Sequence, residues 1–240
     1  MTHRFLGLEV EEWSIDDLHE AIKSTVAHEA SHEYFNINAH AVNLCFEDSE
    51  FYKILGSAHC VFCDGEGVRL AANWRGAKIP QRITYADWLP LFFPFVAENG
   101  WRIFFYGGRP EVLAVFLNKV NAQYPNLKIC GYINGFVGED EATRVIQNSA
   151  PQILMVGLGM PLQEKWIHAK KEQLGANVYL SAGAAFDFFS GIVPRAPLLM
   201  RKLGMEWLFR LLLEPRRMFR RYVLGNPSFL YRVWRNQNPL

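Results

Sequence analysis

The amino-acid sequence predicts an α/β protein: a mostly parallel, Rossmann-like sheet with helices on both faces, followed by a helical, basic C-terminal appendage. Two observations predict the sheet. Short apolar segments alternate with helical stretches through residues 1–193, and one of them, 59–63, is typical of a strand buried on both faces. A third observation predicts the appendage: residues 194–240 carry ten basic and two acidic side chains, whereas residues 1–193 carry fifteen basic and 22 acidic ones.

The predicted strands are apolar segments bounded by turn residues or helix starts. In chain order they cover residues 4–10, 33–38, 59–63, 101–106, 127–132, 152–156 and 177–181. Helices are predicted between them, over 14–30, 39–56, 68–74, 84–98, 110–123 and 139–149, and after Pro161, which suits the first turn of a helix. Two helix starts have the spacing of capping boxes, Ser14 with Asp17 and Thr84 with Asp87.

Composition and length indicate a globular protein without a membrane span. Half of the residues are apolar and a fifth are charged, which is ordinary for a folded domain. The longest candidate apolar run covers 89–97 and contains two prolines, far short of the ~18–20 residues that a span requires. Four cysteines are too few for a disulfide scaffold, and the N-terminus has no signal-peptide pattern. We therefore predict a cytoplasmic protein.

The appendage interleaves cationic and apolar side chains at helical spacing. Such a pattern suits an anionic membrane surface or a phosphorylated ligand. Arg210, Glu214, Arg217 and Arg221 recur at helical intervals, and Pro215 is expected to restart the helix. One interpretation is a guanidinium cluster that binds a diphosphate. The other is a solvated cationic face with an internal Arg–Glu pair.

Asp64 is the first candidate for a catalytic residue. It follows the predicted strand 59–63 and precedes Gly65, which places it at the carboxyl end of a parallel strand, where such sheets bind ligands. A carboxylate at this position can accept a proton from a substrate hydroxyl group. The alternative is a carboxylate that caps the following helix, and the spacing alone favours neither interpretation.

Glycine turns follow two other predicted strands and mark candidate phosphate sites. Gly107 and Gly108 follow one strand, and Gly159 lies in the turn after another. Backbone amides at a following helix start can hold phosphate, although neither turn matches a nucleotide-binding fingerprint. Gln163 and Glu164 begin the next helix and could hydrogen-bond a base or a ribose; solvated helix-start residues are the alternative.

The sequence also contains two patterns that resemble metal or redox motifs, and we reject both. Residues 28–32 read His-Glu-Ala-Ser-His, but a zinc site of this kind requires a continuous helix and a third ligand, and the next strand is predicted from Glu33. Cys60 and Cys63 flank two residues typical of a buried strand, so both are predicted as core cysteines. The sequence has no Asp-x-Asp motif, and we predict no metal ion and no other cofactor.

Several longer segments together resemble one protein family. They comprise Arg195-Ala196-Pro197, Glu214-Pro215 and residues 63–68, 157–164, 183–187 and 203–211. Over about residues 35–222 the sequence resembles the WecG/TagA/CpsF family of bacterial glycosyltransferases. It departs from the family at Asn36, Cys63 and Tyr85, where threonine, proline or alanine, and glycine are common.

The resemblance implies an inverting, metal-independent transfer of a sugar from a UDP donor to a polyprenyl-diphosphate-linked saccharide, in the synthesis of bacterial surface polysaccharides. The sugar would be of the N-acetylmannosamine type, or a related hexose or uronic acid. The implied partners are the UDP-sugar, the lipid-linked acceptor and an anionic membrane at its inner, cytoplasmic face, with no nucleic acid. Residues 1–193 would form the catalytic domain, and residues 194–240 would contact the membrane and the donor diphosphate.

The resemblance also implies roles for individual residues. Asp64 corresponds to the general base. Substrate-binding positions are expected at Asn36, Asn38, Arg82, Gln163, Arg210, Arg217 and Arg220, of which the last three would close over the donor diphosphate. Two alternatives stay open: a non-catalytic peripheral membrane module that holds a nucleotide sugar or an anionic lipid, and a homo-oligomer that buries the apolar tail instead of lipid.

Overall fold

The chain begins with an antiparallel hairpin formed by β1 (Thr2–Phe5) and β2 (Leu8–Glu11). The structure is a computed structural model and describes residues 1–239. The sequence predicted a single strand over 4–10, and this prediction is wrong because the chain reverses at Leu6 and Gly7. Both residues have positive φ, 47° and 83°, which ends one strand and begins the next.

Six further strands form one parallel sheet, in agreement with the predicted fold class. They are β3 His32–Ile37, β4 Cys60–Cys63, β5 Arg102–Gly107, β6 Lys128–Ile133, β7 Ile153–Gly157 and β8 Val178–Ser181. Across the sheet the order is β4-β3-β8-β7-β5-β6. Because all neighbours are parallel, the carboxyl ends of the six strands meet at one edge of the sheet.

Helices connect the strands and cover both faces of the sheet. They are α1 Ile15–Ala27, α2 Ala39–Glu47, α3 Ser49–Ser57, α4 Glu66–Trp74, α5 Tyr85–Glu98, α6 Pro110–Gln123, α7 Glu139–Ser149, α8 Leu162–Leu174 and α9 Ala185–Ser190. One core lies between the sheet and α2, α3, α4, α7 and α8, and a second lies between the sheet and α1, α5, α6 and α9. Successive strand residues alternate between them: Tyr34 and Phe62 enter the second core, Phe35 and Val61 the first.

The structure differs from the sequence predictions at one helical stretch and at one capping box. The helical turns predicted over 39–56 form two helices, because Asp48 ends α2 and accepts a hydrogen bond from the Phe51 amide as the cap of α3. Ser14 and Asp17 form the predicted capping box. Thr84 does not, because its hydroxyl group donates to the Asp87 carboxylate at 2.8 Å and its side chain caps no backbone amide.

The two rejected motifs are placed as the sequence analysis expected. Helix α1 ends at Ala27, and Glu29 has a left-handed backbone with φ of 53°, so residues 28–32 do not form the continuous helix that a zinc site requires. Cys60 and Cys63 are buried, and their side chains enter opposite cores, which confirms them as separate core cysteines.

The C-terminal segment is helical, as predicted. It contains α10 Leu198–Lys202, α11 Glu206–Leu213, α12 Pro215–Met218, a π-helical segment Phe219–Leu224 and α13 Gly225–Arg235. Pro215 restarts the helix after α11, as expected. Phe229 and Val233 of α13 are buried in the first core, and the Arg75 guanidinium donates to the backbone carbonyls of Val233 and Trp234. None of the helices within residues 1–239 has the length and apolar character that crossing a membrane requires.

Candidate active site

A cleft of about 1700 Å³ opens at the carboxyl edge of the sheet, between the strand ends and the C-terminal helices. It gathers most of the predicted site residues from distant parts of the chain. Those that line it are Asn36, Asn38, Asp64, Arg82, Gly108, Gly159, Gln163, Arg210, Arg217 and Arg220. Two others, Gly107 and Glu164, are buried behind its wall.

Asp64 lies at the floor of the cleft, immediately after β4. Its backbone amide donates to the carbonyl oxygen of Ile37 at 2.9 Å, which continues the pairing of β4 with β3. Its Oδ2 atom accepts a hydrogen bond from Asn36 Nδ2 at 2.7 Å and lies 3.5 Å from Asn38 Nδ2. The N-cap of α4 is Gly65, so the structure contradicts the alternative that the Asp64 carboxylate caps this helix.

Asn38 links the start of α2 to the Asp64 carboxylate. Its Oδ1 accepts hydrogen bonds from the amides of His40 and Ala41, at 3.0 and 3.1 Å, as the N-cap of α2. These two donors fix the side-chain amide so that its NH₂ group faces Asp64. Asn36 is oriented in a similar way, because its Oδ1 accepts a hydrogen bond from the Ser181 hydroxyl group at 3.1 Å.

Burial raises the pKa of Asp64 to about 6, although the Asn38 and Asn36 amides and the Arg221 guanidinium act in the opposite direction. A carboxylate in water has a pKa near ~4 and is a weak base. At about 6, the group is still ionised at neutral pH but accepts a proton more readily. The site therefore holds an oriented carboxylate with the properties of a general base.

Gln163 and Glu164 are fully buried, so the alternative of solvated helix-start residues is wrong. Gln163 Oε1 accepts hydrogen bonds from the amides of Gly159 and Gly183, at 3.1 and 2.9 Å, and its Nε2 donates to Glu164 Oε1 at 2.8 Å. Gln163 thus ties the turns after β7 and β8 together while lining the cleft.

The glycine turns bring two strand ends into close contact. At Gly107, with φ of 123°, a Cβ atom would overlap the carbonyl oxygen of Gly157 on the neighbouring strand. The Gly108 amide donates to that same carbonyl at 3.0 Å, and the Gly159 amide donates to Gln163. Both amides are therefore engaged within the protein, so the expectation that they hold phosphate receives no support here.

The C-terminal segment supplies the positive side of the cleft. The Arg210 guanidinium stacks on the Phe188 ring, 4.9 Å from its centroid, and Arg221 stacks on Tyr222 at 5.5 Å. The Nε atoms of Arg210 and Arg221 are buried and have no hydrogen-bond partner within residues 1–239. Both guanidinium groups line the cleft, and planar cations at this position can bind an anionic ligand such as a diphosphate.

The other predicted arginines lie nearer the solvent. Arg217 forms an ion pair with Glu214 at 3.0 Å and leaves 68% of its side chain exposed, and Arg220 is also exposed. Arg82 donates to the carbonyl oxygen of Arg201 at 3.0 Å and so joins the cleft wall to α10. All three line the cleft; Arg217 and Arg220 are exposed, whereas Arg82 is half-buried, like Arg221.

Sequence reasoning missed three residues around Asp64. Arg221 was noted in the arginine spacing but not among the site residues, although it is the arginine that acts on the Asp64 pKa. Tyr85 was noted only as a departure from the family, and its nearly buried ring lines the cleft. Ser181 carried no signal, because a serine at the end of a strand is common.

Among residues 1–239, no cluster of three His, Cys, Asp or Glu side chains is arranged to hold a metal ion.

Comparisons with known proteins identify relatives of this chain. A relative from Bacillus subtilis (strain 168) is 31% identical over 202 residues, which cover 84% of this chain and 78% of the relative. A second, from Staphylococcus aureus (strain NCTC 8325), is 25% identical over 232 residues, covering 95% of this chain and 90% of the relative. Both are named N-acetylglucosaminyldiphosphoundecaprenol N-acetyl-beta-D-mannosaminyltransferase.

A family model with the description "Glycosyl transferase WecG/TagA/CpsF family" matches residues 3–239. The match includes the strand end that carries Asp64, the helix α8 that carries Gln163 and the whole arginine-bearing segment. It extends beyond the range over which the sequence motifs alone carried the resemblance. The chain therefore belongs to the WecG/TagA/CpsF family of glycosyl transferases.

Proposed function

We propose that this protein is an inverting, metal-independent glycosyltransferase that moves an N-acetylmannosamine-type sugar, or a related hexose or uronic acid, from a UDP-sugar to a polyprenyl-diphosphate-linked saccharide. One observation carries the proposal: a single cleft pairs an oriented carboxylate with two guanidinium groups that stack on aromatic rings. Asp64 supplies the carboxylate, and Arg210 and Arg221 supply the guanidinium groups.

Asp64 acts as the general base in this mechanism. The acceptor hydroxyl oxygen attacks the anomeric carbon from the face opposite UDP, and its proton passes to the carboxylate. The bond from that carbon to the UDP oxygen breaks, and its electron pair leaves with the diphosphate. Because both asparagine amides face Oδ2, Oδ1 is the oxygen that takes the proton. A single displacement of this kind inverts the anomeric configuration.

The departing UDP gains negative charge on its diphosphate, and the arginines stabilise that charge. Arg210 and Arg221 are held by aromatic rings and are partly desolvated, so they need little rearrangement when the charge develops. Arg217 and Arg220, at the outer edge of the cleft, add charge with less burial. The amides of Gly108 and Gly159 do not take part in this step, because they already donate hydrogen bonds within the protein.

The shape of the cleft supports two large substrates. Its volume of about 1700 Å³ exceeds the ~300–1,000 Å³ of ordinary small-molecule pockets. Leu199, Leu203 and Leu212 of the adjoining helices are all more than half exposed, beside cationic side chains. We propose that this surface lies on the inner face of the cytoplasmic membrane, where it brings the cleft to the lipid-linked acceptor.

The names of the relatives support the substrate class. They specify an N-acetylmannosaminyl group transferred to a diphosphoundecaprenol-linked N-acetylglucosamine. We extend the class to this chain and leave the exact sugar to experiment, since Asn36 and Tyr85 differ from the residues common in the family and both line the cleft.

The decisive experiment is a donor screen. The purified protein is incubated with each of a panel of UDP-sugars and a synthetic polyprenyl-diphosphate N-acetylglucosamine, and products are identified by mass spectrometry, with the anomeric configuration read by NMR. We expect one or a few UDP-sugars to give an inverted product, and EDTA to leave the rate unchanged. UDP binding in calorimetry without any product would instead support the non-catalytic module, and a retained configuration would refute the displacement.

A further inference from the structure

A chain of buried polar side chains runs from the floor of the cleft into the protein. Asn36 Nδ2 donates to Asp64 Oδ2 at 2.7 Å, and the Ser181 hydroxyl group donates to Asn36 Oδ1 at 3.1 Å. Beyond Ser181 lie Glu164, which is fully buried, and Tyr85, which is 6% exposed. Burial raises the pKa of both groups, and the nearby Ser181 hydroxyl group partly offsets this effect. Tyr85 Oη and Glu164 Oε2 therefore lie near Ser181 without a hydrogen bond to it.

The two oxygens of Glu164 have different surroundings. Oε1 accepts a hydrogen bond from Gln163 Nε2, whose orientation is set because Gln163 Oε1 accepts from the amides of Gly159 and Gly183. Oε2 is buried and has no hydrogen-bond partner within residues 1–239. An anionic oxygen in that state is strongly disfavoured, whereas a protonated one carries a hydrogen that it can donate. The geometry thus fits a neutral carboxylic acid with Oε1 as its carbonyl oxygen.

The groups that face Glu164 from other elements do not balance a negative charge. They are the Cys45 thiol of α2 and the Tyr85 hydroxyl group of α5. Burial raises the pKa of Cys45 to about 12 and that of Tyr85 above its usual value, so both are neutral. Within residues 1–239, Glu164 forms no ion pair with a Lys, Arg or His side chain. Burial accordingly raises the pKa of Glu164 itself to about 7.

We propose that Glu164 is a neutral acid that positions the general base Asp64 through Ser181 and Asn36. Glu164 Oε2 has no hydrogen-bond partner among the described residues of the structure, and in the proposed state its proton turns to the nearby Ser181 hydroxyl oxygen. Ser181 donates to Asn36 Oδ1, and the Asn36 NH₂ group donates to Asp64. Every donor in this chain points toward Asp64, which keeps its carboxylate ionised and oriented. If Glu164 ionised, it would draw the Ser181 proton to itself, and Asn36 could turn its Oδ1 toward Asp64. The inference rests on the proposed role of Asp64 as the base.

Three single substitutions test the positioning role by kinetics. Glu164→Ala removes the donor to Ser181 and should lower kcat by up to about tenfold, the upper end of the scale of one neutral hydrogen bond. Glu164→Gln should recover most of that loss, because its NH₂ group can donate to Ser181 from the place of Oε2. Ser181→Ala should match Glu164→Ala, and the double variant Glu164→Ala/Ser181→Ala should lose no more than either alone. The KM for the donor should change little in all of them.

The pH profile of kcat/KM distinguishes a positioning role from a merely structural one, because loss of a structural residue would not shift it. In Glu164→Ala and Ser181→Ala, Asn36 no longer donates reliably to Asp64, so the acidic limb of the kcat/KM profile should shift to higher pH. In Glu164→Gln it should stay where it is in the unmodified protein. Circular dichroism and the Tm of each variant establish that it is folded.

Stability provides a test that does not require activity. The pKa of Glu164 is raised from 4.5 in a free side chain to about 7 in the fold, so the unmodified protein loses stability as pH rises through this interval. Glu164→Gln does not titrate. The Tm of Glu164→Gln relative to that of the unmodified protein should therefore increase between pH 4.5 and 7 and stay constant above pH 7.

Two results would overturn the inference. The first is a Glu164→Gln variant that is as impaired as Glu164→Ala, which would mean that the anion is required. The second is a difference in Tm between Glu164→Gln and the unmodified protein that does not vary with pH. Failure of the proposed function is distinguishable from both. In that case the unmodified protein would give no transfer to any acceptor, while the pH dependence of the Tm difference would still report the state of Glu164.

Discussion

The Asp64 carboxyl group is held in a position that favours its chemistry and costs the folded state stability. Its pKa is raised from 3.8 to about 6 because burial disfavours the charged form more than the amides and Arg221 favour it. A group with a raised pKa stabilises the fold when protonated, below about pH 4, and this contribution is lost as pH rises through 6. At neutral pH the protein therefore carries an ionised carboxylate in an unfavourable place, as expected of a functional site.

Replacing this carboxylate should separate stability from activity. Asp64→Asn should lower turnover by ~10²-fold or more while leaving UDP binding largely intact, since the general base is lost and the arginines remain. It should also raise the free energy of unfolding by about 1–3 kcal/mol above pH 6, with no gain below pH 4. Steady-state kinetics, calorimetry with UDP and urea unfolding at several pH values measure the three effects. Near-normal turnover would remove Asp64 from the mechanism.

Arg221 is expected to matter more than the arginines at the rim of the cleft. Arg221→Gln removes a half-buried donor and should lower kcat/KM for the UDP-sugar by ~10–100-fold, the scale of a charge-assisted hydrogen bond. It should also move the acidic limb of the pH profile upward, because Arg221 lowers the pKa of Asp64. The matched control is Arg216→Gln, at an exposed side chain outside the cleft lining. Equal losses in both variants would point to a general charge effect instead.

At the scale of elements, different interactions hold the two ends of the C-terminal segment. Near its start, Arg195 binds Asp87 of α5 at 2.6 Å and Glu206 of α11 at 3.3 Å. At its end, α13 buries Phe229 and Val233 in the first core. The intervening helices α11 and α12 and the π-helical segment border the cleft, and they carry the arginines. The cationic segment formed by α11, α12 and the π-helical segment is therefore held in place on both sides of the site.

The ion pairs of Asp87 should stabilise the start of the C-terminal segment. Asp87→Asn weakens the contacts with Arg195 and with Arg201, the latter at 3.4 Å, so residues 194–205 should be cleaved faster in limited proteolysis. Glu111→Gln is the matched control, since the Arg109–Glu111 pair is exposed at both side chains and lies outside this segment. An unchanged cleavage pattern in Asp87→Asn would show that the other contacts of Arg195 suffice.

At the scale of the whole molecule, charge and apolar surface share the same end of the chain. The ten basic and two acidic side chains of residues 194–240 accompany a series of exposed leucines and aromatic residues. Scattered apolar side chains on a surface need no explanation, but a group of them beside cations is typical of proteins that bind anionic membranes. This surface adjoins the opening of the cleft, which suits an enzyme whose acceptor is anchored in lipid.

Membrane binding should depend on these exposed side chains. Leu199 and Leu212 are 69% and 70% exposed, so replacing both with serine should leave the core intact and reduce sedimentation with anionic liposomes. Val115→Ser on α6, also an exposed apolar residue, should have no effect. Deleting residues 195–240 is a less specific test, because it also removes two core residues of α13. Unchanged liposome binding together with a lower mass in solution would favour burial in a homo-oligomer.

The sequence predicted the sheet well because strands buried on both faces consist of short, largely apolar segments, which are recognisable locally. The segments around Phe62, Phe104 and Met155 are short and largely apolar, and each is followed by a turn that contains glycine. The hairpin at Leu6–Gly7 was missed because the apolar alternation continues through the turn, and only the backbone conformation reveals the reversal. The break at Asp48 was missed for a related reason: helical residues lie on both sides of it.

By itself, the sequence determined the parallel α/β sheet, the strand end that carries Asp64, and the division of charge between the two parts of the chain. These properties depend on neighbouring residues, so periodicity and composition reveal them. Only the tertiary structure decided what surrounds Asp64. The contacts of Asn36 with Ser181, the burial of Glu164 and the depth of Arg221 join residues far apart in the chain, and their burial sets the pKa values of the site. Desolvation is a property of the packed molecule, and no local pattern encodes it.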